Sequence, residues 1–385
     1  MEQPLFFFIR RRCTDAMNNE RGVALLVTLS IMAILLAGAF SLHRTVLSHL
    51  VTQRTRLNNA QLEAMITSAR QAAVALLIDD RKKNDIDSVQ DAWADPEVIA
   101  NTLKRLTFET GKLNYFIEDE LGRIQINALV QYPQGRLPPQ QQVDLWERIL
   151  DGFISADETL FADVEPFTII HSLIDWLDFG DGNAITGLNG AESDYYESLD
   201  PPYTCRNGPL QHISELRWIR GMNETLFEGV EGQPGLRDFL TVHGLPEDDS
   251  QFTFTGEINI NTAPEPVIRA LLPEPYSDLA KAIVDYRDEK ADGQFVNDLS
   301  QPGWYRNVPG MGNVPIDQID QKRIRLKSHL FRIRMAAEIN GQQKGVMMII
   351  QRKEVSDGKL GCQVIRRESD PGAVSLLKQE KQADE

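Results

Sequence analysis

The sequence predicts an α+β protein: a long N-terminal transmembrane helix packed on an antiparallel sheet, with a large, mostly helical domain inserted into the sheet region. Three observations carry that prediction. Residues 23–42 are apolar and uncharged, residues 43–78 keep a helical apolar stripe free of proline and glycine, and near the C-terminus apolar residues alternate with a period of two around an Asn-Gly pair.

The 385 residues are too many for one ordinary domain. A hydrophobic fraction of 42% and a charged fraction of 25% are ordinary for globular chains, which excludes wholesale disorder. Acidic residues outnumber basic ones 56 to 40, a formal charge of −16, and such a chain repels phosphate backbones. Three cysteines are too few for a disulfide scaffold or a four-cysteine zinc site.

Val23 to Leu42 reads VALLVTLSIMAILLAGAFSL. At about 1.5 Å per residue such a helix covers about 30 Å, the thickness of a bilayer core. A cleaved secretory signal would have a shorter apolar region ending at small residues. Arg10, Arg11, Arg12 and Arg21 precede the span, so the N-terminus is expected in the cytoplasm and everything after Leu42 on the far side. Beyond the span, Leu47, Leu50 and Val51, then Leu57, Leu62, Met65 and Ile66, then Ala72, Leu76 and Leu77 continue an apolar face. That half must lie on a domain.

At the other end, Phe331, Ile333 and Met335 alternate with Arg332 and Arg334. Asn340-Gly341 is a hairpin signal because both turn positions need positive φ. Val346 to Gln351, apolar on both faces, reads as a central strand. Ser356-Asp357-Gly358 is the next turn and Leu360 to Ile365 the third strand. Tyr115 to Asn127, with a turn at Glu120-Leu121-Gly122, predicts a further hairpin of the same sheet. Residues 368–385 are polar and expected to be flexible. Residues 137–322 are expected to form the inserted helical domain, with Trp146, Trp176, Trp218 and Trp304 as core mass. Within this region GEININTA at Gly256 echoes GRIQINAL at Gly122, too short a repeat to establish duplication.

One stretch is dense in oxygen-bearing side chains. Asp175 and Asp178 are followed by Asp181, Asn183, Glu192, Asp194 and Asp200 in a glycine-rich loop, with Asn207 beyond. Calcium takes six to eight oxygen ligands from flexible loops, so these residues can form a calcium site, although the spacing is not an EF-hand. The other reading is a solvated acidic loop whose Asp and Asn residues cap turns. No enzyme constellation accompanies it: the six histidines lack paired metal spacing, and neither a Gly-x-Ser-x-Gly elbow nor a P-loop occurs. Cys205 and Cys362 both follow the span. They are read either as a disulfide tying the insertion to the last strand or as two separate thiols.

Glu20-Arg21-Gly22-Val23 resembles the type III signal of pilins and pseudopilins, which prepilin peptidase cuts after the glycine. The resemblance implies a leader of residues 1–22 and a mature chain starting at Val23, its amine methylated. Met17 in place of Met1 as the start would give the usual short leader. Position five of most mature pseudopilins is glutamate; here it is Val27, as in the large minor pseudopilin K of type II secretion. Asp175 to Asp181, Gly190 to Tyr196, Pro201-Pro202-Tyr203, Arg206 to Pro209, Ser214-Glu215-Leu216, Ile258 to Pro264 and Lys327 to Phe331 are similar to that family in order.

The family implies a pilin-like fold: a stem helix over 23–78, a first sheet portion over 79–136, the insertion, and a second portion over 323–367. It implies a structural subunit that caps the pseudopilus with minor pseudopilins I and J, above H and the major pseudopilin. It further implies contact with an inner-membrane assembly platform, a largely periplasmic chain, and structural calcium. A rival resemblance, of residues 260–295 to helix-hairpin-helix units of DNA-uptake proteins, lacks the Gly-x-Gly turn that lets N–H groups approach a phosphate. Only Val308 to Gly312 comes close to it, and no nucleic-acid partner is expected.

Overall fold

In a computed structural model the described residues are 20–106, 108, 110–131, 138–180, 185–244, 246–248, 251–356 and 359–378. Arg10, Arg11, Arg12, Cys13, Met17, Asp181, Asn183, Asp357 and Gly358 lie outside them. The chain divides into two units, one ending at Glu63 and the other beginning at Ala64.

Helix α1 (Glu20–Lys83) is continuous, and its N-terminal part is long and apolar enough to cross a membrane. Its large apolar side chains from Val23 to Leu57 are exposed. In the second unit the same helix buries Met65, Ile66, Ala69, Ala73 and Leu77, a spacing of four along one face. Arg81, Lys82 and Lys83 in the last turn complement the helix dipole. Helix α2 (Pro96–Lys104) is capped by Asp95, whose carboxylate accepts the Glu97 N–H at 2.8 Å. Strand β1 (Lys112–Asp119) follows, with alternate residues buried.

The insertion starts directly after β1. Glu120–Gly122 makes a turn held by Asp119 Oδ1, which accepts the Leu121 N–H at 2.8 Å. The expected hairpin does not form. Instead β2 (Ile124–Gln125) runs parallel to β5 (Leu240–Thr241), a long-range pairing. Helices α3 (Gln140–Ala156), α4 (Pro166–Leu177), α5 (Ser193–Glu197) and α6 (Glu224–Glu228) lie in this part. Hairpins β3 (Gly229–Val230) with β4 (Gln233–Pro234) and β6 (Pro246–Asp248) with β7 (Gln251–Phe254) decorate it.

A second parallel pair, β8 (Ile258–Asn259) with β11 (Ile324–Arg325), opens and closes the remainder. Between them lie α7 (Glu265–Leu271), α8 (Leu279–Asp288) and the hairpin of β9 (Lys290–Ala291) with β10 (Gln294–Phe295). These pairings move both edges of the insertion outward from the expected 137–322. One core unites it, with Trp146 and Trp304 fully buried and Trp176 nearly so. Trp218, expected in that core, is 50% exposed and stacks edge-on against Tyr203.

The two echoed segments meet. A Cβ on Gly122 would lie 2.9 Å from Thr262 Oγ1, so glycine permits the approach. Asn127 and Asn261 are both buried hubs: Asn127 bonds the Leu210 and Val242 carbonyls, and Asn261 Oδ1 accepts the Trp304 indole N–H at 2.7 Å.

Strands β12 (Leu330–Ile339), β13 (Gln342–Ser356) and β14 (Lys359–Ser369) complete a four-stranded antiparallel sheet in the order β1-β12-β13-β14. The β12–β13 turn has positive φ at Asn340 and Gly341, as its sequence demands. Residues 371–377, within the tail expected to be flexible, form a 3-10 turn with Ala373 and Leu377 buried beside Ala336 of β12. Arg334 pairs with Asp370 at 2.8 Å and fixes this segment.

One carboxylate buttons the two crossings between sheet and insertion. Asp119 Oδ2, at the end of β1, accepts from Ser328 Oγ at 2.6 Å, Thr262 Oγ1 at 2.6 Å and Asn259 Nδ2 at 2.7 Å.

Candidate metal centre

Helix α4 delivers the first acid. Pro166 suits its first turn, and Ile169, Ile170, Leu173, Ile174 and Leu177 anchor it in the core. Asp175 therefore sits on a rigid element and is only 1% exposed. The helix ends at Leu177; Asp178 is already extended, and its N–H bonds the Ile174 carbonyl at 2.9 Å. The returning loop reaches Asp175 through the Thr186 N–H, 2.9 Å from Oδ1. It then brings Glu192 in at the start of α5.

Asp175, Asp178 and Glu192 thus place carboxylate oxygens within 4.8 Å of one another, all three residues buried. Calcium–oxygen distances of 2.3–2.6 Å put opposite ligands about 5 Å apart, so the spacing fits such an ion. Burial raises the Asp175 carboxyl above its ordinary range, against the lowering effect of the Thr186 hydrogen bonds. The donors are all oxygen, which favours a hard cation over metals that seek thiolate or imidazole.

Asn207 is the further candidate from the sequence. It sits at φ 53°, and its buried Oδ1 has no hydrogen-bond partner. The chain there runs beside the end of α4: Cys205 Sγ donates to the Asp175 carbonyl at 3.5 Å, and the Gly208 N–H to the Trp176 carbonyl at 3.4 Å. Around the centre, Trp176, Tyr196 and Tyr203 form an aromatic wall, with Trp176 and Tyr196 centroids 5.0 Å apart.

Of the other residues expected as ligands, Asp194 and Asp200 are exposed and do not join the group. Asp194 lies in the first turn of α5, where a carboxylate complements the helix dipole. Asp200 precedes a cis proline. Asp175 takes their place. A second acidic group, Asp80, Asp87 and Asp91, was not foreseen from the sequence. It already holds a cation, the Arg352 guanidinium, 2.6 Å from Asp87 Oδ1.

The expected alternative of a disulfide does not hold: Cys205 and Cys362 are not bonded to each other, the first buried beside Asp175 and the second on β14 opposite Arg352. Burial pushes the Cys362 thiol up to about 11. Gly22 and Val23 lie on the exposed part of α1, and nothing stands within 4 Å of a Cβ built on Gly22.

Two family models described as type II secretion system (T2SS), protein K match residues 122–232 and 258–313. A putative type II secretion system protein K of Escherichia coli (strain K12) is 31% identical over 55% of this chain and 61% of its own length. Type II secretion system protein K of Klebsiella pneumoniae is 29% identical over the same shares. Over these segments the chain is similar to the type II secretion protein K family. The match spans about three fifths of each relative's own length.

A chain of the crystal structure of the GspK-GspI-GspJ complex from the enterotoxigenic Escherichia coli type 2 secretion system shares the fold. The TM-score is 0.61 at 18% identity, over 83% of this chain and 99% of that one. The first K-family match contains the whole acidic centre, and it begins at Gly122, on the first echoed segment; the second begins at Ile258, on the other. The helix-hairpin-helix look of the second match is α7 and α8 joined by a turn with Pro273, Glu274, Pro275 and Asp278. Asp278 pairs with Arg269 at 3.0 Å, so the turn offers carboxylates where a phosphate would need N–H groups.

Proposed function

We propose that this chain is a structural minor pseudopilin that ends the pseudopilus of a type II secretion system. It is anchored in the bacterial inner membrane by α1, with the chain after Leu42 in the periplasm. The observation that carries this reading is one uninterrupted helix, Glu20–Lys83, joining the apolar segment behind Gly22 to the sheet and insertion. The fold over 83% of this chain is shared with a chain of the GspK-GspI-GspJ complex, which supports I and J as neighbours here. H and the major pseudopilin lie below them, above the assembly platform.

Prepilin peptidase removes residues 1–22 and methylates Val23. At mature position five, an unpaired carboxylate in lipid is costly, and a terminal subunit gains little from one; Val27 avoids that cost. A divalent cation, calcium by its oxygen donors, is held by Asp175, Asp178 and Glu192 with Asn207 beside them, and keeps the loop after α4 folded against the aromatic wall. The test is coexpression with prepilin peptidase and minor pseudopilins I and J. Mass spectrometry should find a methylated Val23 terminus, and copurification should yield one copy per complex. An unprocessed chain, or one repeating along a filament shaft, would refute the proposal.

A further inference from the structure

The second acidic group lies where three parts of the unit meet, and its charges do not balance. Asp80, near the end of α1, and Asp87 and Asp91, in the turn after it, place carboxylate oxygens within 4.8 Å of one another. Their exposures are 6%, 0% and 8%, and among the described residues the one cation buried with them is Arg352, itself 5% exposed. Three carboxylates therefore face one guanidinium.

The hydrogen bonds are unevenly shared. Asp87 accepts Arg352 Nη2 at 2.6 and 2.7 Å and the Ser328 N–H at 2.8 Å. Asp91 accepts Asn84 Nδ2 at 2.7 Å and the Ser88 N–H at 2.6 Å. Asp80 Oδ2 is buried with no donor; Arg352 Nη1 stands 3.6 Å away, beyond hydrogen-bond distance, and donates to the Leu77 carbonyl.

We propose that Asp80, Asp87 and Asp91 form a proton-binding site, closed by Arg352, which latches the end of α1 to the sheet and the inserted domain and slackens when the proton leaves. The proton sits on Asp80 Oδ2, the buried carboxylate oxygen without a donor. The latch is the set of bonds around Asp87. Arg352 reaches it from β13, Asn259 Nδ2 donates to its carbonyl at 2.9 Å, and its own N–H bonds the Leu326 carbonyl at 2.8 Å. An ionised Asp80 repels Asp87 and Asp91 and competes for Arg352.

The remaining charged groups nearby are engaged elsewhere. Arg81 turns outward to Asp85 and Lys83 to Asp79. His329 flanks Arg352 through its backbone, and burial with Arg325 and Arg352 pushes its imidazole down to about 4, so it is neutral. Cys362 beside Arg352 stays a thiol. Asp119, linked through Ser328, has four donors of its own. Burial first, then Asp91 and Asp87, raise Asp80 to about 7 against Arg352 and Arg81, and burial raises Asp91 to about 6. A carboxyl whose folded value exceeds its unfolded one stabilises the fold at low pH and loses that contribution as pH rises through the folded value.

The experiment is thermal and denaturant unfolding of the full chain in detergent with saturating calcium, followed by tryptophan fluorescence from about pH 6 to about pH 8. Trp93 reports locally, its ring 5.4 Å from Phe331, over which Arg352 lies. The folding equilibrium constant of the parent should fall roughly tenfold across that range. Asp80→Asn should remove the fall and be the more stable form at the alkaline end. Asp91→Asn, which keeps Asp80 but takes away a negative neighbour, should move the midpoint to lower pH. Infrared difference spectra should show a protonated carboxyl at the acid end that Asp80→Asn abolishes. A parent with no pH slope in this range, or a slope that neither substitution alters, overturns the proposal.

Discussion

A Cβ on Gly190 would stand 2.1 Å from Asp175 Oδ2. The backbone at 190 is pressed against the carboxylate that anchors the acidic centre, and Arg220 holds it there through a 3.2 Å bond to the Gly190 carbonyl. Gly190→Ala must push Asp175 away or reopen the loop. The expected cost is about 1–3 kcal/mol of stability, as for other overpacked sites, with a clear loss of cation affinity. Calcium titration calorimetry with and without the substitution checks it; unchanged binding would mean that Asp175 plays no part.

Ligand substitutions should separate two classes. Asp178→Asn and Glu192→Gln should each weaken calcium binding by at least about tenfold, since even outer partners of a metal commonly contribute that much. Asp194→Ala and Asp200→Ala, exposed and away from the group, should leave it nearly unchanged. The readout is the calcium-dependent rise in Tm, which follows from binding to the folded state alone.

Glu120 makes a different kind of buried contact. It is fully buried and accepts Arg332 Nε and Nη2, both at 2.8 Å, with Thr241 Oγ1 and Arg123 also bonded to it. Burial alone would raise its carboxyl, but Arg332 and Arg123 overcome that and hold it at about 2. Because the folded value is depressed, the stabilisation is present above the ordinary glutamate range and is lost as pH falls toward 2. Glu120→Gln leaves Arg332 buried without its counter-charge, and the expected loss is about 3–5 kcal/mol in urea unfolding at neutral pH. A loss below about 1 kcal/mol would show that water reaches the pair.

Processing is tested at Gly22. Substitution by a bulky residue should leave the leader attached in cells with active prepilin peptidase, detected as an increase in intact mass. Because nothing packs against Gly22, folding of the unit beginning at Ala64 should be unaffected.

The elements that rest on local pattern were legible in the sequence. The apolar run from Val23, the period-two alternation at Phe331 to Met335 and the Asn340-Gly341 turn all depend on residues close together in the chain. What failed depended on distant partners. Tyr115 to Asn127 looks like a hairpin, yet Ile124 bonds to the strand at Leu240, because Asp119 caps the turn and directs the chain into the insertion. The acidic stretch was found, but spacing alone did not distinguish Asp175, carried on a buried helix face, from Asp194, on an exposed one. Asp87 gave no signal at all, since its partner Arg352 lies 265 positions away.

The Asp119 button has a mechanical consequence. The chain passes from sheet to insertion after Asp119 and returns near Ser328, and a carboxylate oxygen of Asp119 is bonded to Ser328 Oγ. Two strands that cross side by side and are riveted together resist bending about either one, and Thr262 and Asn259 add rivets from the insertion itself. A load applied to the insertion would reach the sheet as torque through a stiff double strut. An outward push could then travel through this protein without being absorbed in a joint.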